Sequence, residues 1–512
     1  MRRHRWLVLG IVIVLASCAS GPRYRTPKPD LPAAFAARLN PPATAVGAGT
    51  GPDSASLELA TWWKALGDQE LNSLVDRAVN SNLDLQIALA RLQQARAYES
   101  VVMGYALPDV DASGGAGRGT GSDLTKGRAG QALRSADNGA GLRHINAIVG
   151  FDAVWELDLF GKFRREFQAV RADTEAARAA RYDVLTSVIG DVVRAYVDLR
   201  GFQVQAGILH HASDVLRESL RIVNIRYERG ITNELDVALA TRELAQLEGQ
   251  IAPVEAQARA ARYALAVLVG EYPENMAQEL AKPDLIPTMP APAAPGLPID
   301  LLKRRPDIQQ AERELAAATA RIGVATAGLF PDVTVSAAIG TQSQGWGTTP
   351  AVSKHIWSFG PGAVWPLLDF GALDAQVEVA DYAAQASLAN YRKTILAAVE
   401  QVDSSLDAYE AQQYRMEKLG DAMVAGQRAV DLATARYNRG LTDFLNVVDA
   451  ERQFYDLQEQ YAQAQVSQGE EFVQLYKSLG GGWQSYQAVP KIRRPKPAII
   501  AAFRSVISGS EP

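Results

Sequence analysis

One cysteine stands among 512 residues, which excludes an intrachain disulfide framework and any cysteine-rich zinc site. Histidine is scarce too, at five. Two of these, His210 and His211, are adjacent, so on a helix they diverge by about 100° and suit solvent better than a shared metal. A mean hydropathy of -0.09 is too polar for a bundle of membrane-spanning helices, each of which needs roughly 20 apolar residues in a row. Net charge is small as well: 52 Lys+Arg against 57 Asp+Glu leaves −5, which gives no sign of a nucleic-acid partner. Catalytic motifs are missing. Asp369-Phe370-Gly371 spells a kinase triplet without the loops that accompany it, and Gly161-Lys162 is followed by Phe163 where a phosphate-binding loop needs Ser or Thr. The glycine-rich stretch 114–130 lacks the strand-then-helix setting of a dinucleotide site. The expectation is a protein that is not an enzyme, with no metal and no cofactor. What is present is ordinary for a folded chain, 47% hydrophobic and 21% charged, and at about 150 residues per domain its length suggests three domains.

The lone cysteine is informative by its place. Arg2, Arg3 and Arg5 precede an apolar run over residues 6–16, and Leu15-Ala16-Ser17-Cys18 follows. A basic start, a short apolar run and small residues make a secretory signal, too short to span a bilayer. Leu-Ala-Ser-Cys resembles the bacterial lipobox, which implies that residues 1–17 are removed and Cys18 is acylated. Several acyl chains at about 0.8 kcal/mol per buried CH₂ anchor firmly. Ala19 in place of Asp implies, by the same resemblance, sorting to the outer membrane.

The rest of the chain is two copies of one unit. Arg226-Tyr227-Glu228-Arg229-Gly230-Ile231-Thr232 recurs as Arg436-Tyr437-Asn438-Arg439-Gly440-Leu441-Thr442, 210 positions on, and Trp155 recurs at the same interval as Trp365. Further upstream, Pro108-Asp109-Val110 recurs as Pro331-Asp332-Val333, 223 positions on. The copies therefore differ by 13 residues, which places a longer glycine-rich loop in the first. The expected division is a signal (1–17), an acylated arm (18–60), repeat one (61–270), a proline-rich linker (271–298), repeat two (299–480) and a tail (481–512).

Periodicity changes in the same order within each copy. Ala311, Leu315, Ala318 and Ile322 step by three and four, which is helical. After Pro331 the pattern alternates through Val333, Val335, Ala337 and Ile339, which is a strand. A second alternating run carries Val149, Phe151, Ala153, Trp155 and Leu157, matched in copy two by Trp357, Phe359, Ala363, Trp365 and Leu367. Such strands suit lipid on one side and water on the other. A half-buried strand in a soluble sheet alternates in the same way. From Gly161 to Arg229 and from Gly371 to Arg439 no proline interrupts, and Ile395, Val399, Val402, Leu406 and Tyr409 step 4-3-4-3 as a coiled-coil seam does. At about 1.5 Å per residue these helices reach on the order of 100 Å. Arg-Gly at 229–230 and 439–440 ends them, Thr232 and Thr442 are placed to cap the returning helices, and those run to Gly270 and Gly480. If the strands do face lipid, four per chain cannot close a barrel, whereas three chains would supply twelve.

These residues resemble the TolC-like outer-membrane efflux proteins, in particular the lipoprotein branch that serves multidrug pumps. The resemblance rests on Phe151-Asp152-Ala153-Val154-Trp155-Glu156-Leu157-Asp158-Leu159-Phe160-Gly161, the duplicated Tyr-x-Arg-Gly, Arg304-Arg305-Pro306-Asp307-Ile308 and Leu329-Phe330-Pro331. It implies a mainly α protein with a transmembrane β part: a homotrimer whose 12-stranded outer-membrane barrel continues into a long periplasmic α-helical barrel. It also implies a periplasmic adaptor and an inner-membrane efflux pump as partners, with small amphipathic compounds as cargo. Docking at the tips falls to Arg229, Gly230, Thr232, Arg439, Gly440 and Thr442. The periplasmic gate falls to Leu445, Asp449 and Arg452, with Arg452 able to pair with Asp449 at i+3. Asn446 stands where some members carry a second acid, which leaves Asp449 alone for an acidic ring. A duct for secreted polypeptides and a lipid-anchored periplasmic scaffold without a pore are the alternatives.

Overall fold

The computed structural model describes residues 19–36, 59–118, 145–292, 296–345 and 352–487. The signal, Cys18, most of the long glycine-rich loop and residues 488–512 lie outside the described residues.

The first unit opens with α1 (Gln69–Ser81) and α2 (Leu83–Tyr105), continues as strands β1 (Asp109–Arg118) and β2 (Ile145–Leu157), and ends as α3 (Lys162–Glu228) and α4 (Glu234–Leu268). The second repeats it: α5 (Pro298–Arg304), α6 (Pro306–Ala327), β3 (Asp332–Gly345), β4 (Val352–Val364), α7 (Ala372–Asn438) and α8 (Phe444–Ser478). No described helix is long and apolar enough to cross a membrane.

Local chemistry sets the boundaries. Asp68 caps α1 through Oδ1, which accepts from the Glu70 and Leu71 amides at 2.8 and 3.1 Å. Asn82 caps α2 in the same way, and its Nδ2 also donates to the Leu268 carbonyl at 2.8 Å, so one buried side chain starts α2 and ties it to the end of α4. Each long helix follows a left-handed glycine, Gly161 or Gly371. An acid caps its first turn: Asp158 Oδ2 accepts from the Arg164 amide at 3.0 Å, and Asp369 Oδ2 from the Leu373 amide at 2.7 Å. Pro306 holds Arg305 in an extended conformation, which breaks α5 from α6. Arg305 then pairs with Asp307 at 2.6 Å and donates to the Ser478 carbonyl at 2.9 Å, stitching the start of copy two to the end of α8.

The strands form one antiparallel sheet in the order β1-β2-β3-β4, with β1 and β4 as its free edges. Gly150 faces Gly340 across the central β2–β3 ladder. A Cβ on either would come within 2.8 Å of the opposite backbone oxygen, so this pair must lack side chains. Alternation is as expected: Phe151, Ile339, Trp357 and Phe359 project into solvent, while Asp152, Ala338 and Ile356 are buried on the other face. Trp365 and Leu367 fall beyond the end of β4.

The main core lies where α1, α3, α7 and α8 meet, around Trp63, Leu71, Tyr196, Phe472 and Tyr409. Ile395, Val402, Leu406 and Tyr409 of the expected seam are buried there, as are Leu185, Ile189, Val193 and Val197 of α3. Arg200 is also buried: it pairs with Glu70, its guanidinium lies 4.9 Å from the Tyr196 ring, and it donates to the Lys282 carbonyl at 3.0 Å. The arm of residues 19–36 lies along the body. The Ser20 amide donates to the Phe160 carbonyl at 3.0 Å, Arg165 donates to the carbonyls of Ser20 and Gly21, and Tyr24 bonds Glu312.

Candidate gate and docking tips

The far ends of the two helical hairpins are built alike. At the first turn the Gly230 amide donates to the Tyr227 carbonyl at 2.9 Å and the Ile231 amide to that of Arg226 at 2.8 Å. At the second, Gly440 donates to Tyr437 and Leu441 to Arg436, each at 2.9 Å. This is the Schellman arrangement, and it needs a left-handed residue, here Gly230 at φ 69° and Gly440 at φ 67°. It also consumes one more residue than expected. Asn233 and Asp443, not Thr232 and Thr442, occupy the N-cap positions. Asn233 Oδ1 accepts from the Asp236 amide at 3.1 Å. Thr232 instead bonds the Asp236 side chain, and Thr442 Oγ1 accepts from Asn446 Nδ2 at 2.8 Å. Arg229 and Arg439 stand exposed at the turns, beside exposed Ile231 and Leu441.

The first turns of α8 carry the other three residues expected at the site. Leu445 is exposed, and Arg452 Nη2 donates to Asp449 Oδ1 at 3.1 Å, so the i+3 pair forms. Gln453 Nε2 donates to the other oxygen of Asp449 at 2.7 Å. Both partners are about half exposed, so the pair itself contributes only a few tenths of a kcal/mol.

Two features of the site were not expected from the sequence. A small core of Val223, Ala240, Tyr437, Phe444, Val447 and Val448 closes the hairpins against each other near their tips. The Arg226 guanidinium lies 4.3 Å from the centre of the Tyr437 ring, a contact between copies. The duplicated motif marks Tyr227 and Tyr437 equally, yet the first is exposed and the second buried. The other feature is Glu451. It is 5% exposed, between Asp449 and Arg452 in sequence but on the opposite face of α8, among Val447, Val448 and Tyr455. Burial pushes its carboxyl up to about 7, although a hydrogen bond from Ser219 of α3 opposes the shift. The signal was available: apolar residues at 444, 447, 448 and 455 mark a buried stripe with this acid inside it.

The family model for outer membrane efflux proteins matches residues 74–271 and 297–481. The chain belongs to that family. It is 31% identical over 440 residues to the pyoverdine export outer membrane protein OpmQ of Pseudomonas aeruginosa, covering 84% of this chain and 88% of the other. It is 29% identical over 522 residues to nodulation protein T of Rhizobium leguminosarum bv. viciae, covering both in full. Among solved structures, the outer-membrane channel OprN superposes with a TM-score of 0.78 at 34% identity, over 91% of this chain and all of the other. The Campylobacter jejuni channel CmeC gives 0.79 at 20% identity over 91% and 95%, a likeness of fold alone. The protein is thus an outer-membrane efflux channel of a Gram-negative envelope, an exit duct projecting into the periplasm and not an enzyme. The scaffold alternative falls with this finding. The TolC-like architecture, a membrane β part continuous with a long helical body, is the fold it has.

Proposed function

We propose that three copies of this chain form a closed 12-stranded barrel over a helical tube, and that the tube is the exit stage of a tripartite pump for small amphipathic compounds. The observation that carries the reading is a four-stranded sheet with two free edges and an outward row of exposed aromatic residues. In lipid each unpaired edge group costs several kcal/mol, so the edges must find partners. The internal repeat supplies the pairing. Val154 faces Ser336 across the β2–β3 ladder, and the same positions one repeat on are Val364 of β4 and Ser113 of β1. Joining β4 of one copy to β1 of the next in that register leaves no edge.

A periplasmic adaptor docks at the tips, on Arg229, Gly230, Thr232, Arg439, Gly440 and Thr442, and an inner-membrane pump supplies the cargo. Three hairpins α7–α8 around one axis bring Leu445, Asp449 and Arg452 into a ring that narrows the duct. Cys18, acylated, anchors the body to outer-membrane lipid. In support, Ala19 lies against Gly161 at the strand-to-helix joint, where a Cβ on Gly161 would come within 2.8 Å of it. That the relatives include proteins named for toluene efflux and pyoverdine export favours small compounds over polypeptides as cargo.

The pairing is tested by the double variant Ser113→Cys/Val364→Cys, made where acylated Cys18 leaves no competing thiol. Mild oxidation is expected to give a covalent trimer on a denaturing gel, and each single variant a monomer. Monomers alone from the double variant would refute the register.

A further inference from the structure

The proton-binding group that the gate residues leave unused is Glu451, and its place is unusual. On α8 the residues three and four positions before it, Val448 and Val447, and the one four after it, Tyr455, are all buried. A helix stripe of this kind is where an apolar side chain belongs. Glu451 Oε2 has no hydrogen-bond partner, and no cation pairs with the group among the described residues. What faces it is α3, through Ser219.

We propose that Glu451 is a proton-operated latch on the gate: neutral, it lets α8 lie against α3 and keeps the duct shut; ionised, it loosens that packing and favours opening. The inference rests on the reading of α7–α8 as the moving hairpin. The physical reason is that a charge in an apolar interface without a countercharge is far costlier than a neutral acid, and the cost disappears when the helices part and water enters.

The groups that border this packing are few. On α3, Arg226 is engaged with the Tyr437 ring, and Glu218 and Arg221 pair with each other in solvent. On α4, Glu243 is buried and paired with Arg242 at 3.3 Å. On α7 the titratable group is Tyr437, and on α8 they are Tyr455 and the exposed Asp449–Arg452 pair. Burial and Glu451 together raise the Tyr455 phenol, so it stays neutral throughout the relevant range. Farther along the α3–α8 seam Asp198, raised to about 6 by burial and by Glu470, borders a cavity of about 250 Å³.

The sign follows from linkage. The α3–α8 packing seen here, taken as that of the shut state, holds the proton up to about pH 7, whereas a water-exposed glutamate releases it near 4.5. Below 4.5 both states are protonated and the latch adds no pH dependence. From there to about 7 opening releases a proton, so the shut state loses stability as pH rises. Three protons released together would raise the open-to-shut ratio by up to about 1000-fold per pH unit, and one by about tenfold.

The experiment uses the purified full-length channel in planar bilayers between pH 4.5 and 8, with hydrogen exchange of residues 444–455 measured in parallel and corrected for intrinsic rates. The wild type is expected to open more, and to exchange faster at α8, as pH rises. Glu451→Gln should remain shut and lose the slope in both measurements, and Glu451→Asp should keep a slope. A slope unchanged in Glu451→Gln would overturn the proposal and point to Asp198. Flat exchange in the wild type would overturn it as well. A slope in exchange with none in conductance would overturn the link to opening, and the fault would then lie in the gate assignment.

Discussion

The two helical hairpins have the same lengths, 67 and 35 residues in each, and the same turn, yet they are packed very differently. Helix α3 buries 26 of its 67 residues and α8 14 of its 35, whereas α4 buries 4 of 35 and α7 9 of 67. Within one chain α3 and α8 are therefore the inner pair, and α4 and α7 the flanks. Exposed Val379, Tyr382, Leu396, Tyr414 and Val424 on α7 mark the flank that the next copy would cover. The tips differ again. Leu235 and Arg242 of α4 match Leu445 and Arg452, but Leu239 stands at the position of Asp449 and Thr241 at that of Glu451. Both acids belong to copy two. The lesson is that duplication supplied the frame and divergence after it placed Asp449 and Glu451 in one hairpin.

That contrast can be broken in three places. Tyr437→Ala removes a buried ring from the tip core and ends the contact with Arg226. It should cost about 3–5 kcal/mol of local stability, read as faster hydrogen exchange in residues 433–448, while Tyr227→Ala should stay within about 0.5 kcal/mol. Equal effects would mean that the hairpins are equivalent at their tips. Asp449→Ala should raise single-channel conductance several-fold if three copies form the proposed ring of charge, and Leu239→Ala should leave it unchanged. Gly230→Ala and Gly440→Ala are expected to sharpen the comparison by agreeing. Each puts a Cβ on a left-handed backbone that meets nothing else within 4 Å, so each should cost about 1 kcal/mol, measured as exchange at its own turn.

Much of this architecture is legible in the sequence because it is periodic. The 210-residue repeat, the alternation after Pro331 and the proline-free runs to Arg229 and Arg439 mark every strand and long helix. The Asp449–Arg452 pair is legible for the same reason, since i+3 spacing is a local geometry. The caps fall one residue beyond the threonines because a Schellman turn is a hydrogen-bond pattern, and the threonines that flank it are plausible caps by composition alone. Glu451 lay hidden for a different reason. Asp449, Glu451 and Arg452 look like one charged cluster, yet at 100° per residue Glu451 points away from the other two. What it meets there is a helix more than 200 positions earlier in the chain. The importance of Tyr437 over Tyr227 is equally nonlocal, being decided by which copy's ring falls between the hairpins.

The equal lengths of the long helices restrict how such a protein can vary. Its reach from the strand joint to the tips is written twice, in the 67 residues of α3 and of α7, and the half nearer the tips is written again in the 35 residues of α4 and of α8. Seven residues added to one helix would turn its apolar face by only about 20°, but would displace everything beyond the insertion by about 10.5 Å relative to its antiparallel neighbour. A longer or shorter tip half therefore requires matched insertions or deletions in all four helices at one height. The depth of the space to be bridged is thus held by the chain as a shared dimension that no single local change can alter.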